Sequence, residues 1–397
     1  MISIRHIFKT GVGPSSSHTM GPARAAAIFK EEYPNATDFK VVLFGSLSKT
    51  GVGHGTDSVI VETFSPLPCH VEFDYTTEDL PHENTMDLYA YADGQELGYM
   101  RVLSVGGGNI RIEGRPEAEP QHVYTENTFK EIRDICINED IRLSDYVERC
   151  EGPEIRTFLL DVWHTMQEEI ARGLSATGRL PGPLNVGRKA KDLIRQRHID
   201  ESTETEQNRL VCAYAFAAAE ENACNQIIVT APTCGACAVV PAVLKYMQDK
   251  KNFSDEDIIR ALEVAGLIGA LVVTNASISG AECGCQAEIG TACSMASAAL
   301  CELFWMDLNQ IEYAAEMAFE HYLGLTCDPV CGLVQIPCIE RNAVAAMRSI
   351  NALSLANFLS GTRKISFDMV VKTMYETGKD MHSKYRETSE GGLAKHF

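Results

Sequence analysis

Ala281-Glu-Cys-Gly-Cys-Gln-Ala-Glu288 sets Cys285 in a glycine turn, and two later cysteines stand in similar settings. Cys327 lies in Leu-Thr-Cys-Asp-Pro and Cys338 in Ile-Pro-Cys-Ile-Glu-Arg-Asn. Each has Gly or Pro close by, so each is expected where the backbone bends rather than mid-face in a long helix. They are 42 and 11 residues apart, unlike the close Cys-x-x-Cys-x-x-Cys run of electron-transfer ferredoxins. Widely separated thiolates converging from different elements suit a cluster built into a fold, with one iron left free. Spacing alone fits buried structural cysteines equally well, because free cysteine is among the most buried residue types.

Composition narrows the setting. A chain of 397 residues is long enough for two domains, each with its own core. Its net charge of −19 argues against nucleic acid, whose binding rests on basic patches. No apolar run is long enough to span a bilayer. The opening Met-Ile-Ser-Ile-Arg-His-Ile-Phe-Lys lacks the apolar core of a secretion signal, so a cytoplasmic protein is expected. Fourteen cysteines in that setting point to reduced thiols or metal chemistry rather than a disulfide framework. Eleven of them fall between Cys212 and Cys338, which places any metal function in the second half.

Residues 1 to about 110 read as α+β. The loop Gly11-Val-Gly-Pro-Ser-Ser-Ser-His-Thr19 leads into a helix begun by Pro22. Its serines stand where unpaired helix N–H groups can hold a carboxylate or phosphate, although Ser17 or Thr19 could simply cap the helix. Phe39–Gly45 and Cys69–Tyr75 read as strands, and Asp93-Gly94 turns a hairpin. His54 reads as a loop histidine among Gly51, Gly53 and Gly55. Gly106-Gly-Gly-Asn109 reads as a turn, and Gly114–Asn127 as a linker. Beyond it the apolar spacing is helical, with helices expected over 129–150, 155–173, 209–224, 255–273, 291–305, 311–322, 339–358 and 366–385. Glu390–Phe397 reads as a flexible tail. The expected organisation is an α+β domain over 1–125 and an all-α catalytic domain over 126–397.

Longer words carry more than spacing. Asn275-Ala-Ser-Ile-Ser-Gly-Ala-Glu282, Cys285-Gln286, Cys293-Ser-Met-Ala296, Gly324-Leu-Thr-Cys-Asp-Pro329 and Gly332-Leu-Val-Gln-Ile-Pro-Cys-Ile-Glu-Arg-Asn342 closely resemble the iron–sulfur-dependent L-serine dehydratases, or L-serine ammonia-lyases. So do Gly11–Pro22 and Gly391-Gly-Leu-Ala394, and the resemblance runs over nearly the whole chain. It implies a β-type, substrate-binding-like domain followed by an α-type catalytic domain, and a homodimer acting on a small amino acid.

Removing water from a β-hydroxy amino acid needs a base for the Cα proton and help for the leaving hydroxyl. Pyridoxal phosphate would supply an electron sink on a lysine; no pyridoxal motif stands out, and none is expected. The resemblance implies a 4Fe–4S cluster instead, with Cys285, Cys327 and Cys338 as its ligands and one open iron as Lewis acid. Histidine is the natural base near neutral pH. His18 and His54 are the candidates, with His54 slightly preferred. Ser15, Ser16, Ser17 and Thr19 are candidates for holding the substrate carboxylate. Asn275, Ser277, Ser279 and Glu282 are candidates for substrate contacts or for hydrogen bonds around the cluster; capping explains Asn275 and Ser277 as well. Lys384 matches a tail motif and also fits a surface lysine.

The chain departs from the family pattern at Cys234, Cys237, Cys283 and Cys331. Cys234-x-x-Cys237 superficially reads as a zinc or redox pair, but no matching second pair accompanies it. The chain ends in Phe397 where some members end in a cysteine able to reach the open iron, so freer access is expected. Alternatives to a serine lyase are action on L-threonine or L-cysteine, a non-catalytic iron–sulfur redox sensor, and a zinc-binding regulatory module.

Overall fold

The computed structural model describes residues 1–116, 122–359, 361 and 363–397; residues 117–121 of the expected linker lie outside it. Seven strands are present among the described residues: β1 (Thr10–Val12), β2 (Asp38–Leu43), β3 (Cys69–Phe73), β4 (Thr85–Ala92), β5 (Gln95–Gly106), β6 (Asn109–Ile112) and β7 (Ile227–Val229). The first-half helices are α1 (Gly21–Glu32), α2 (Gly45–His54) and α3 (Thr56–Phe64). Then follow α4 (Phe129–Glu139), α5 (Leu143–Glu151), α6 (Glu154–Ser175), α7 (Ala190–Arg195), α8 (Thr203–Ala223), α9 (Val239–Lys251), α10 (Asp255–Asn275), α11 (Gly280–Cys283), α12 (Thr291–Leu303), α13 (Leu308–Glu320), α14 (Cys338–Phe358) and α15 (Phe367–Asp380). The architecture is the expected one, an α+β region followed by a helical one. Among the described residues no helix is long and apolar enough to cross a membrane.

The sheet runs β3-β2-β4-β5-β6. In β2, Phe39, Val41 and Leu43 are buried and their neighbours less so, the period-2 pattern of a sheet covered on one face. That face packs on α1 and α3; the Phe39 and Phe64 rings stack at 4.1 Å. The other face carries polar pairs, such as Lys40 with Glu72 and Arg101 with Asp87. β3 lies parallel to β2, and α2 and α3 form the crossover between them. Asp93 and Gly94, at φ +50° and +76°, turn β4 into β5.

The helical half is built around α10 and α12. All thirteen residues of α12 are buried, and α10 is buried from Ile258 to Val272 except Arg260. Helices apolar on every side belong inside a core. Their small residues allow close crossings: a Cβ on Gly266 would stand 2.8 Å from Ile4 Cβ, and one on Gly269 the same from Ile7 Cγ2. Met1, Ile4, Ile7 and Phe8 therefore pack in the helical core rather than on the sheet. β1 continues this union by pairing antiparallel with β7, with Thr10 opposite Val229.

Three local expectations are corrected. His54 is the last residue of α2, not a loop residue; Gly55, at φ +73°, ends the helix, and burial of Leu47 and His54 outweighs the low helix propensity of Gly51 and Gly53. The helix expected to reach Tyr385 stops at Asp380. The segment beyond it is no loose tail: Leu393 N–H donates to Asp328 Oδ2 at 2.8 Å, and Ser389 Oγ to the Pro329 carbonyl at 2.8 Å.

Candidate active site

Three segments of the helical half bring Cys285, Cys327 and Cys338 to one cleft. Cys285 precedes a π-helical turn, Gln286–Gly290, that opens α12. Cys327 sits in the connection between α13 and α14, and Cys338 is the first residue of α14. The C-terminal strap fixes Cys327 from both sides: its N–H donates to the Tyr385 carbonyl at 2.8 Å, and Glu387 N–H donates to its carbonyl at 2.9 Å.

Burial pushes all three thiols up, Cys285 to about 12. Arg341 works against that. It lies one turn beyond Cys338, beside the Cys285 thiol, where a cation favours thiolate. Its guanidinium is held by the Thr326 carbonyl at 2.7 Å and Asp328 Oδ1 at 2.9 Å. Gly280 keeps the wall thin, since a Cβ there would stand 3.2 Å from Cys327 Sγ. Among the described residues the three sulfurs do not form a set within the 4.8 Å that one ion would demand. An all-thiol triangle wider than one ion needs, backed by a cation, fits a multi-iron cluster.

The sheet half supplies the opposite wall. Ser15, Ser16 and Ser17, at the start of a π-helical turn (Ser16–Met20) leading into α1, line the cleft with Gly106 and Gly107 of the β5–β6 turn. Lys9 holds that turn through the Gly107 carbonyl at 2.5 Å and Asn109 Oδ1 at 2.7 Å. Behind the serines the His18 and His54 rings stack, with centroids 4.4 Å apart and planes 24° from parallel. Neither histidine lines the cleft directly. Glu387 lies between: its carboxyl is within 4.8 Å of a nitrogen of each ring, and it lines the cleft beside the thiols.

Hydrogen bonding separates the two rings. Thr50 Oγ1 gives its proton to the Ser46 carbonyl at 2.9 Å, so at 2.9 Å from His18 Nε2 it accepts, and Ser46 Oγ stands 3.1 Å from the same nitrogen. His18 Nδ1 then accepts from Ser17 or Ser15 hydroxyls at 3.0 and 3.3 Å. Both His18 nitrogens are engaged. His54 Nδ1–H donates to the Thr50 carbonyl at 2.9 Å, which leaves Nε2 with a lone pair; that atom is buried and has no partner among the described residues. Burial, as the main cause, depresses both imidazoles, His54 to about 4. Two stacked rings direct their lone pairs side by side rather than toward a common point. The His18–His54–Glu387 group is therefore a poor cage for a single metal ion, despite its short distances.

The remaining candidates divide. Ser279 lines the cleft. Thr19 turns away: its hydroxyl lies 2.9 and 2.5 Å from the Val12 and Ser15 carbonyls, one of which takes its proton. Asn275 is exposed and binds the Asn127 and Leu271 carbonyls, closing the end of α10. Ser277 accepts from Ser279 N–H at 3.1 Å, shaping the turn before α11. Glu282 pairs with Lys379 in the outer mouth of the cleft. Lys384 lies over the Tyr385 ring at 4.9 Å. Cys234 and Cys237 are buried, with Cys234 Sγ 3.4 Å from Met20 Sδ, and Cys283 packs against Gly378. The sequence reading passed over Glu288, Arg341, Thr50 and Glu387. For Glu288 and Arg341 a signal existed, since each stands three residues after a proposed ligand cysteine.

Comparison with known proteins accounts for the whole chain. Residues 90–394 match the family model described as Serine dehydratase alpha chain, and residues 3–66 match that described as Serine dehydratase beta chain. The chain is 40% identical to L-serine dehydratase TdcG of Escherichia coli (strain K12) over an alignment 448 positions long, gaps included, covering 99% of both. It is 41% identical to L-serine dehydratase 1 of the same organism, again over 99% of both. To an L-serine dehydratase of Streptomyces coelicolor it is 40% identical, over 99% of this chain and 98% of that one. The chain therefore belongs to the serine dehydratases, with its beta-type part preceding its alpha-type part.

Proposed function

We propose that the protein is an L-serine ammonia-lyase that eliminates water from L-serine, and that Cys285, Cys327 and Cys338 hold a 4Fe–4S cluster. The observation that carries this reading is the convergence of three thiols from three segments on the cleft that the serine loop also lines. When bound, such a cluster with three thiolate ligands supplies an iron with an open position, a Lewis acid for the substrate's β-hydroxyl.

The protein's own groups do the rest. His54 takes the Cα proton at Nε2, where its only free lone pair lies. The Thr50 carbonyl holds Nδ1–H, which fixes the tautomer and steadies the imidazolium that forms. With its pKa held near 4, His54 stays neutral and able to accept a proton at neutral pH. The electron pair of the broken C–H bond forms the C=C bond as hydroxide leaves, and the proton taken up by His54 is returned to it, giving water and restoring the neutral imidazole. The aminoacrylate released tautomerises and hydrolyses to pyruvate and ammonia. His18, both nitrogens occupied, positions Ser15 and Ser17 for the substrate carboxylate.

The test is pyruvate formation from L-serine by protein purified and loaded with iron without oxygen, repeated after air exposure and on a Cys327→Ala variant. Pyruvate is expected only from the anaerobic protein with all three cysteines. Turnover that survives iron removal would contradict the reading, and faster turnover of L-cysteine or L-threonine would change the substrate.

A further inference from the structure

Two carboxyls line the cleft, and the reaction as derived so far uses neither. Glu288 Oε1 accepts from Thr233 Oγ1 at 2.8 Å, while Oε2 has only the Cys327 thiol nearby, at 4.0 Å. Glu387 has its backbone locked to Cys327, and its side chain stands between that loop and His54. Among the described residues no lysine or arginine forms an ion pair with either; Arg341, whose charge reaches Glu288, spends its guanidinium on Asp328 and Thr326. Desolvated carboxylates without a cation are costly.

Room for Glu288 has been left deliberately open in the chain. A Cβ on Gly235 would stand 2.9 Å from its Oε1, and one on Gly280 2.8 Å from its Oε2. Nearby, the fully buried His54 Nε2 lacks any partner and lies within reach of Glu387. The cleft thus holds two acids short of a cation, and behind Glu387 lies a base short of a proton. An α-amino acid carries both. Its carboxylate suits the hydroxyls of Ser15–Ser17, its β-hydroxyl the thiol side, and its Cα proton His54. The ammonium remains unmatched, and Glu288 and Glu387 are the acidic groups that line the cleft among the described residues.

We propose that Glu288 and Glu387 form the subsite for the substrate's ammonium group and so distinguish amino acids from hydroxy acids and simple carboxylic acids. The inference deepens the lyase reading and rests on the same cleft, but it can be tested by binding alone. L-Alanine has the ammonium and no leaving group; propanoate has neither. Binding of each to the iron-loaded protein is measured by calorimetry, alongside the absorption spectrum and iron content. Wild-type protein should prefer L-alanine by about 10- to 100-fold, the range set by a charge-assisted hydrogen bond. Glu387→Gln and Glu288→Gln, each with full iron, should weaken L-alanine by about 10-fold or more and leave propanoate unchanged.

Equal affinity of wild-type protein for the two ligands would overturn the proposal. So would variants that weaken both alike at full iron, since that reports a damaged cleft. Loss of iron in Glu288→Gln with normal discrimination in Glu387→Gln would also overturn it and make Glu288 a support for the cysteine side. Failure of the lyase reading would look different: no pyruvate from L-serine, while L-alanine and propanoate are still discriminated.

Discussion

The two walls of the cleft are made in different ways. The cysteine wall belongs to a single helical core and hangs on the buried α10–α12 pair and on the strap from 381 to 393. The histidine wall belongs to the smaller sheet core, with His18 beside the turn before α1 and His54 at the end of α2. The site exists only where these two cores meet. What joins them is backbone: β1 with β7, and the first eight residues threaded onto α10. Metal binding and proton abstraction should therefore fail separately when one wall is damaged.

The largest separation is expected between Cys327→Ala and His54→Gln. Cys327→Ala should lose iron and abolish turnover, measured by iron analysis and pyruvate assay. His54→Gln should keep its iron and lose about 10²- to 10⁴-fold in kcat, the usual worth of a positioned base. An iron-poor His54→Gln protein would mean that the walls are not independent.

Next in size is a stability effect confined to the helical core. Glu263 in α10 is buried, both its carboxylate oxygens lack partners, and burial raises its pKa to about 8. Between pH 4.5 and 8 the folded state keeps a proton that the unfolded chain releases, so stability falls as pH rises through this window. Glu263→Gln should flatten that fall and stabilise the protein by about 2 kcal/mol at pH 8, read by denaturant unfolding at pH 5 and pH 8, with no change in KM.

The smallest effect tests the histidine wall. Thr50→Val removes the nearer of the two hydroxyls that face His18 Nε2, leaving Ser46 Oγ at 3.1 Å, and should cost about 1 kcal/mol of stability or less. It should raise KM more than it lowers kcat, because His18 positions the serines. Thr50→Ser should restore both.

The sequence made the cysteine wall readable because Cys285, Cys327 and Cys338 sit in long, ordered words. Even Arg341 and Glu288 could be found by counting one turn from a cysteine. The histidine wall was half legible. Gly51, Gly53 and Gly55 signal a loop, yet only Gly55 breaks the helix; burial of one face decides the other two. Glu387 and the tail were not legible. Gly391 and Gly392 suggest flexibility, and nothing local reveals that Asp328, some sixty residues earlier, receives the Leu393 N–H. The docking of Met1–Phe8 on α10 was hidden likewise, since the glycines that admit it, Gly266 and Gly269, lie far along the chain.

The most direct test of the central claim compares wild-type and His54→Gln proteins, both anaerobic and matched in iron content, on L-serine and on L-serine deuterated at Cα. The account predicts rapid pyruvate formation by wild-type protein. With full iron in His54→Gln it predicts a loss of at least about 100-fold. Pyruvate formed at the wild-type rate by His54→Gln, with the same deuterium effect, would contradict it and move the base elsewhere in the cleft.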